Sequence, residues 1–338
     1  MRSTFKLFKI FGISIEIHFT FLILPFIFGM FAGLKGVILI LFVFLCVTLH
    51  ELVHSVIAKR YGALVRKIVL FPIGGIAMMG PMPEKPRQEF AIAISGPLFN
   101  LVFAAVLYLP LRSILGTQIL HQFPPTIQTW RNTIAYMFWI NPILAFFNLL
   151  PAFPMDGGRV FRAVLTRQMS YQKATRIAVA LGHIVALFFV FIGLISIPRN
   201  YLIVIIGIFV YFAASHEEAE VDIKTTLAKY KVADVLSGEY RTVTGDTTLS
   251  QVLDIVMHSH QEDFPVVENG KLVGLLTRLA IIKSVHQFGK EKKVSEIMRK
   301  GFPTISVDDP LKKAHLLMQE SSVRAIPVLR DKVLNQDI

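Results

Sequence analysis

The chain has 338 residues, 54% of them hydrophobic and 17% charged, with mean hydropathy +0.58 and a formal net charge of +12. That balance excludes an ordinary soluble enzyme. It is no nucleic-acid signature either: residues 1–215 hold 18 Lys/Arg against 5 Asp/Glu and residues 216–338 hold 17 against 18, so the excess lies in the hydrophobic part and forms no basic groove interleaved with aromatics.

The N-terminus M-R-S-T-F-K-L-F-K is basic, but the apolar run after it is long and lacks a convincing small-residue cleavage site. A retained segment is expected, not a signal peptide. Ile13, Ile15, Ile17 and Phe19 then alternate with Ser14, Glu16, His18 and Thr20, the period of a strand whose polar face needs cover at membrane depth. Six membrane spans are expected near residues 19–34, 36–58, 89–111, 133–150, 177–197 and 201–214. With the N-terminus inside, only Lys35, Arg112, Arg131 and Arg199 of the 18 basic residues fall outside, which orients the chain with both termini in the cytoplasm. The location implied is a multi-pass cytoplasmic membrane.

The second span ends in H-E-L-V-H, residues 50–54. On a helix, His50 and His54 share one face and can grip one zinc ion, while Glu51 between them is placed as a general base toward water at the metal. Polar groups of this kind are costly in lipid without a use. The pattern lies five to nine residues before Lys59, roughly 8–14 Å below the cytoplasmic boundary at the helical rise. Cys46, the single cysteine, excludes an internal disulfide framework and is expected in a buried packing role. His18 and His183 are read in the same way, as hydrogen-bonded histidines in apolar segments.

Between the second and third spans, V-L-F-P-I-G-G-I-A-M-M-G is too short and too broken to cross. It reads as a hairpin dipping into the protein, whose edge near Gly74 and Gly75 could hold an unwound segment by strand addition.

A catalytic zinc usually takes three protein ligands and water. The acids of residues 1–215 are Glu16, Glu51, Glu84, Glu89 and Asp156. Glu84 and Glu89 read as a charged cytoplasmic loop, Glu16 belongs to the N-terminal strand and Glu51 is needed as base. Asp156 remains as third ligand, in N-L-L-P-A-F-P-M-D-G-G-R at residues 148–159. Prolines and glycines break the helix there, and broken backbone at membrane depth survives where it lines a protein cavity. Asn148 reads either as a donor to the oxyanion or substrate backbone or as a cap of its own helix end. Asn100 reads either as a supporting polar group or as helix packing.

From residue 232 the chain repeats itself at an offset of 62: Val235, Asp246, Leu249 and Pro265 recur as Ile297, Asp308, Leu311 and Pro327. Two similar α/β units follow from this. The organisation expected is a membrane metal domain at 1–215, a linker at 216–231, and repeat modules at 232–290 and 291–338. The fold class is a multi-pass α-helical membrane protein with a small membrane-embedded β-sheet and a C-terminal α/β tandem.

These motifs closely resemble the site-2 protease family of intramembrane zinc metalloproteases, in its prokaryotic branch with C-terminal CBS (cystathionine β-synthase) modules. H-E-L-V-H matches the family's HExxH, N-L-L-P-A-F-P-M-D-G-G its second motif, F-P-I-G-G at 71–75 its membrane-embedded hairpin, and G-P-L-F-N at 96–100 a further recurrent motif. The resemblance implies zinc on His50, His54 and Asp156, Glu51 as base and Asn148 in catalysis or substrate binding. Gly74, Gly75 and Asn100 become candidate substrate-binding positions. It also implies single-span membrane protein substrates cleaved in regulated intramembrane proteolysis, with regulatory membrane proteins as further partners. The repeats resemble a CBS tandem, in which an adenine nucleotide would meet Thr277. Ala280 stands where that pattern has an aspartate, and Gln336 where the second repeat would align with Gly274. Nucleotide binding and a dimerisation or docking role for the tandem, which would give a homodimer, both stay open. The competing class is a CBS-regulated membrane transporter or channel using the same residues as a metal transit site, although such proteins tend to show repeated halves and polar groups along a path.

Overall fold

The structure, a computed structural model, describes residues 4–72, 74–79, 85–122, 127–236, 240–259, 261–321 and 323–329. The chain divides into two compact units, Met1–Val221 and Asp222–Ile338.

The first unit opens with strands β1 (Thr4–Ile10) and β2 (Ile13–His18). As the alternation requires, Ile13 and Ile15 are buried while Ser14 and Glu16 are half-exposed. After a turn of 3-10 helix comes α1 (Ile23–Arg60), interrupted at Gly33, whose φ of 56° only glycine adopts readily. Gly33 therefore separates two helical segments within Phe19–Arg60, and the chain folds back there: a Cβ on Gly36 would lie 2.2 Å from the Phe28 carbonyl oxygen, a closeness that one straight helix does not permit. Strands β3 (Val65–Phe71) and β4 (Gly74–Met79) form the antiparallel hairpin. The sheet order is β1-β2-β3-β4, with β2 and β3 parallel, so β4 stands at an edge. Ile13, Ile68 and Leu70 of the sheet pack with Ile40, Phe44 and Leu52 of α1 in one apolar cluster, and Lys67 bonds Glu16 across β2 and β3 at 2.8 Å.

Next come α2 (Pro86–Leu115), α3 (Thr117–Leu120), α4 (Trp130–Asn148), α5 (Asp156–Leu165), α6 (Tyr171–Ile195) and α7 (Tyr201–Leu227). Among the described residues four helical stretches are long and apolar enough to cross a membrane: Phe19–Arg60, Pro86–Leu115, Tyr171–Ile195 and Tyr201–Leu227. The expected count was six. The stretch Phe19–Arg60 holds two helical segments on either side of Gly33, and α4 is diluted by Arg131, Asn132, Asn141 and Asn148. Large side chains such as Phe31, Leu109, Phe146 and Phe212 stand exposed around these helices, which suits lipid and not water.

Residues 149–155 form a tight loop held from behind. Phe153 is fully buried and its N–H donates to the Ala178 carbonyl at 3.3 Å. A Cβ on Gly182 of α6 would lie 2.2 Å from the Phe153 carbonyl oxygen, so glycine there lets the loop reach its depth.

Glu89 departs from its expected place in a surface loop. It lies 3% exposed in the first turn of α2, where Arg162 of α5 donates to it through Nε at 2.8 Å. A carboxylate can be buried there because that guanidinium comes with it. Glu84 lies outside the described residues.

In the second unit the offset of 62 becomes geometry. The 3-10 turn Val232–Val235 recurs as α10 (Val294–Ile297), and α8 (Leu249–Met257) as α11 (Leu311–Ser321). The bridge Val243–Val266 recurs as the parallel pair of β7 (Ile305–Ser306) with β8 (Val328–Leu329). The remaining elements are β5 (Phe264–Glu268), antiparallel to β6 (Lys271–Leu276), and α9 (Arg278–Phe288). Each repeat also lends its first turn to the other. Val232 N–H donates to the Asp309 carbonyl and Ala233 to Val307, while Val294 donates to Thr247 and Ser295 to Gly245. Lys231 meets Asp308 at 3.5 Å as Lys293 meets Asp246 at 2.9 Å. The pair is thus pseudo-symmetric and interlocked. Gln336 lies outside the described residues.

Candidate metal centre

One turn apart on α1, His50 and His54 bring their Nε2 atoms to 3.1 Å of each other, with the rings crossed at 81°. Asp156 enters at the start of α5, its Oδ2 3.1 Å from His50 Nε2 and 3.0 Å from His54 Nε2. Its side chain faces the histidines; the residue preceding the helix, Met155, makes no side-chain cap. Among the described residues this is the one group of three or more His, Cys, Asp or Glu placed to share a metal ion.

The hydrogen bonds behind the rings fix which atoms point inward. His54 Nδ1 lies 2.7 Å from the Ile92 carbonyl oxygen, which can only accept, and His50 Nδ1 lies 3.3 Å from Asn100 Oδ1. Both rings therefore carry a proton on Nδ1, leaving two Nε2 lone pairs and a carboxylate oxygen facing one another without a proton between them. Three acceptors held together in this way fit a cation. Their separations are within about 0.3 Å of the ligand–ligand distances in a tetrahedral zinc site. Both donor types are zinc's usual ones.

Helix α2 builds the back wall. Ile92, Gly96 and Asn100 recur every four residues and so share one face. They present a carbonyl, a bare backbone and an amide to the two histidines. A Cβ on Gly96 would lie 2.2 Å from His54 Nε2 and 2.7 Å from His50 Cε1. Asn100, read from sequence as a substrate-binding or supporting position, is fully buried against His50. Gly96 and Ile92 were not singled out by sequence; the available signal was G-P-L-F-N and its four-residue period.

Glu51 is half-buried and turns toward the sheet. A Cβ on Gly75 of β4 would lie 3.1 Å from its Cγ and 3.4 Å from Val47 Cγ1, so the edge strand passes directly over the expected base. Gly74 precedes it with a φ of 138°. Asn148 is the half-buried last residue of α4, where the loop to Asp156 begins. Cys46 is fully buried in an apolar cluster with Leu39 and Ile140. His18 pairs with Thr20 at 2.7 Å and His183 with Ser215 at 3.0 Å. In the second unit Thr277 caps α9, its hydroxyl accepting from the Ala280 N–H at 3.3 Å.

The family profile for peptidase family M50 matches residues 38–191, and that for the CBS domain matches residues 232–287 and 294–334. A zinc metalloprotease of Methanocaldococcus jannaschii is 36% identical over 313 residues, covering 91% of this chain and 86% of its own. The solved site-2 protease from the same organism is 36% identical and covers 64% of this chain and 95% of its own, with a TM-score of 0.48. A CBS domain pair solved in complex with 5'-methylthioadenosine and S-adenosyl-L-methionine is 27% identical, covers 30% of this chain and 82% of its own, and has a TM-score of 0.27. With a catalytic-type donor set at its centre and a full-length relative of that identity, the chain belongs to peptidase family M50, the site-2 proteases, and is a membrane zinc metalloprotease with C-terminal CBS domains.

Proposed function

We propose that this protease hydrolyses peptide bonds in locally unwound transmembrane segments near the cytoplasmic side, as in regulated intramembrane proteolysis. The observation that carries the reading is the convergence of His50, His54 and Asp156 on a helix long and apolar enough to span the membrane, beside an open sheet edge. These three residues would hold zinc, which supplies Lewis acidity that polarises a carbonyl and acidifies water. Glu51 accepts the proton of the attacking water and returns it to the departing amine nitrogen, so that hydroxyl ends on the acyl carbon. Asn148, at the mouth of the loop, donates a hydrogen bond to the oxyanion or the substrate backbone. Asn100 holds the His50 ring from behind.

A transmembrane helix hides its peptide bonds, so the substrate must unwind before Glu51 can serve it. The edge of β4 offers main-chain partners to the unwound segment, with Gly75 leaving room beside Glu51. Gly75→Val fills that room. It should slow cleavage by about a hundredfold, as expected for a misplaced scissile bond, while zinc content stays at the wild-type level; unchanged cleavage would remove β4 from substrate binding.

The partners proposed are single-span membrane proteins, together with regulatory membrane proteins and a second copy of the chain through the CBS pair. The charge distribution supports a cytoplasmic N-terminus and cytoplasmic CBS domains. An adenine nucleotide at the pair would use Thr277, whose hydroxyl keeps a proton to donate while it caps α9. If Thr277→Val bound AMP as wild type does, that contact would be wrong. The overall reading is tested by mapping fragments of a single-span substrate reconstituted with the full-length protein. A cut in or beside the cytoplasmic half of the hydrophobic segment is expected, and cuts confined to soluble loops would overturn the reading.

A further inference from the structure

Helix α5 carries three charged residues at three-residue intervals: Asp156, Arg159 and Arg162. The first reaches the metal centre and the other two do not belong to it. α5 has ten residues and leaves a loop containing Pro151 and Pro154. Something other than its own start must therefore fix its position.

Arg162 is 4% exposed, and every part of its guanidinium is engaged. Nε and Nη2 donate to Glu89 Oε1 of α2 at 2.8 and 2.5 Å, and Nη1 donates to Glu217 Oε1 of α7 at 3.0 Å and to Thr175 Oγ1 of α6 at 3.3 Å. Its faces lie over the rings of Phe153 and Tyr171, 4.7 and 4.5 Å from their centroids. Arg159 Nη2 approaches the other oxygen of the same Glu217 at 3.9 Å. One carboxylate on α7 thus spans both arginines of α5, and a planar, fully engaged guanidinium permits little slippage.

We propose that Glu217 is a positioning residue for the metal centre: by bridging Arg159 and Arg162 it sets α5 against α7, and with α5 the carboxylate of Asp156. The inference rests on the reading that His50, His54 and Asp156 hold zinc. Arg162 lies about 9 Å along the axis from Asp156 at the helical rise, and a short helix moves as a body. α7 runs on past Glu217 to Leu227, beyond the start of the unit that contains the repeats.

The test is zinc affinity of the purified full-length protein in detergent, measured by competition with a chromophoric chelator. Partners outside the ligand set typically tune affinity by 10- to 100-fold, so Glu217→Gln should weaken zinc about tenfold and Glu217→Asp, which keeps the charge but withdraws it by a methylene, about threefold. Arg176→Gln is the control. Arg176 of α6 pairs with Glu218 of α7 at 3.5 Å, and its loss should leave zinc affinity unchanged. Wild-type affinity in both Glu217 variants would overturn the proposal. So would equal weakening by Arg176→Gln, which would mean general loosening. If Glu217→Gln does not fold, Glu217→Asp decides alone. Asp156→Asn separates the two readings: if it binds zinc like wild type, the ligand assignment itself fails, whatever the Glu217 variants do.

Discussion

Gly96→Ala should weaken zinc binding by about a hundredfold or more. The added Cβ would lie 2.2 Å from His54 Nε2, one of the three atoms facing the cation, and 2.7 Å from His50 Cε1. Backing away is not open to α2, because the same face holds His54 through the Ile92 carbonyl and His50 through Asn100. The rings must move instead. Since even disturbed outer partners cost 10- to 100-fold in affinity, displacing both histidines should cost about a hundredfold or more. Metal content after gel filtration reads the effect directly. A Gly96→Ala protein that keeps one zinc per chain would show that the wall formed by α2 is not as close as described.

Glu51→Gln should have the complementary outcome. The substitution keeps size and hydrogen bonding but removes the base, and the residue is not one of the three that converge as ligands. Zinc content should stay at the wild-type level while cleavage falls by about 100- to 10,000-fold, the usual share of general acid–base catalysis. Together the two variants separate holding the metal from moving the proton. A Glu51→Gln protein that cleaves at the wild-type rate would exclude Glu51 as base.

The core of the site could be read from the chain because membrane depth makes polar groups scarce. With five acids in residues 1–215, each could be weighed in turn, and Asp156 meets the histidines in the structure. Helical period placed His50 and His54 on one face, and the β-forming run around Gly74 and Gly75 does pair as a hairpin. What escaped were features defined by a distant partner or by an absence. Gly96 matters because it lacks a side chain, and the atoms that require this lie on another helix. Glu89 looked like a loop acid because its counter-charge, Arg162, is 73 residues away in sequence. The 62-residue repeat was visible as pattern, but the exchange of first turns between repeats was not, since a repeat unit looks the same whichever neighbour its backbone bonds.

The most direct test of an intramembrane zinc protease is cleavage of a purified single-span substrate co-reconstituted in vesicles with the full-length protein, before chelation, after chelation, and after zinc is restored. A cut in the hydrophobic segment that disappears with the metal and returns with it is the expected result. Cleavage that persists without zinc, or zinc crossing the vesicle membrane with no peptide bond cut, would contradict it.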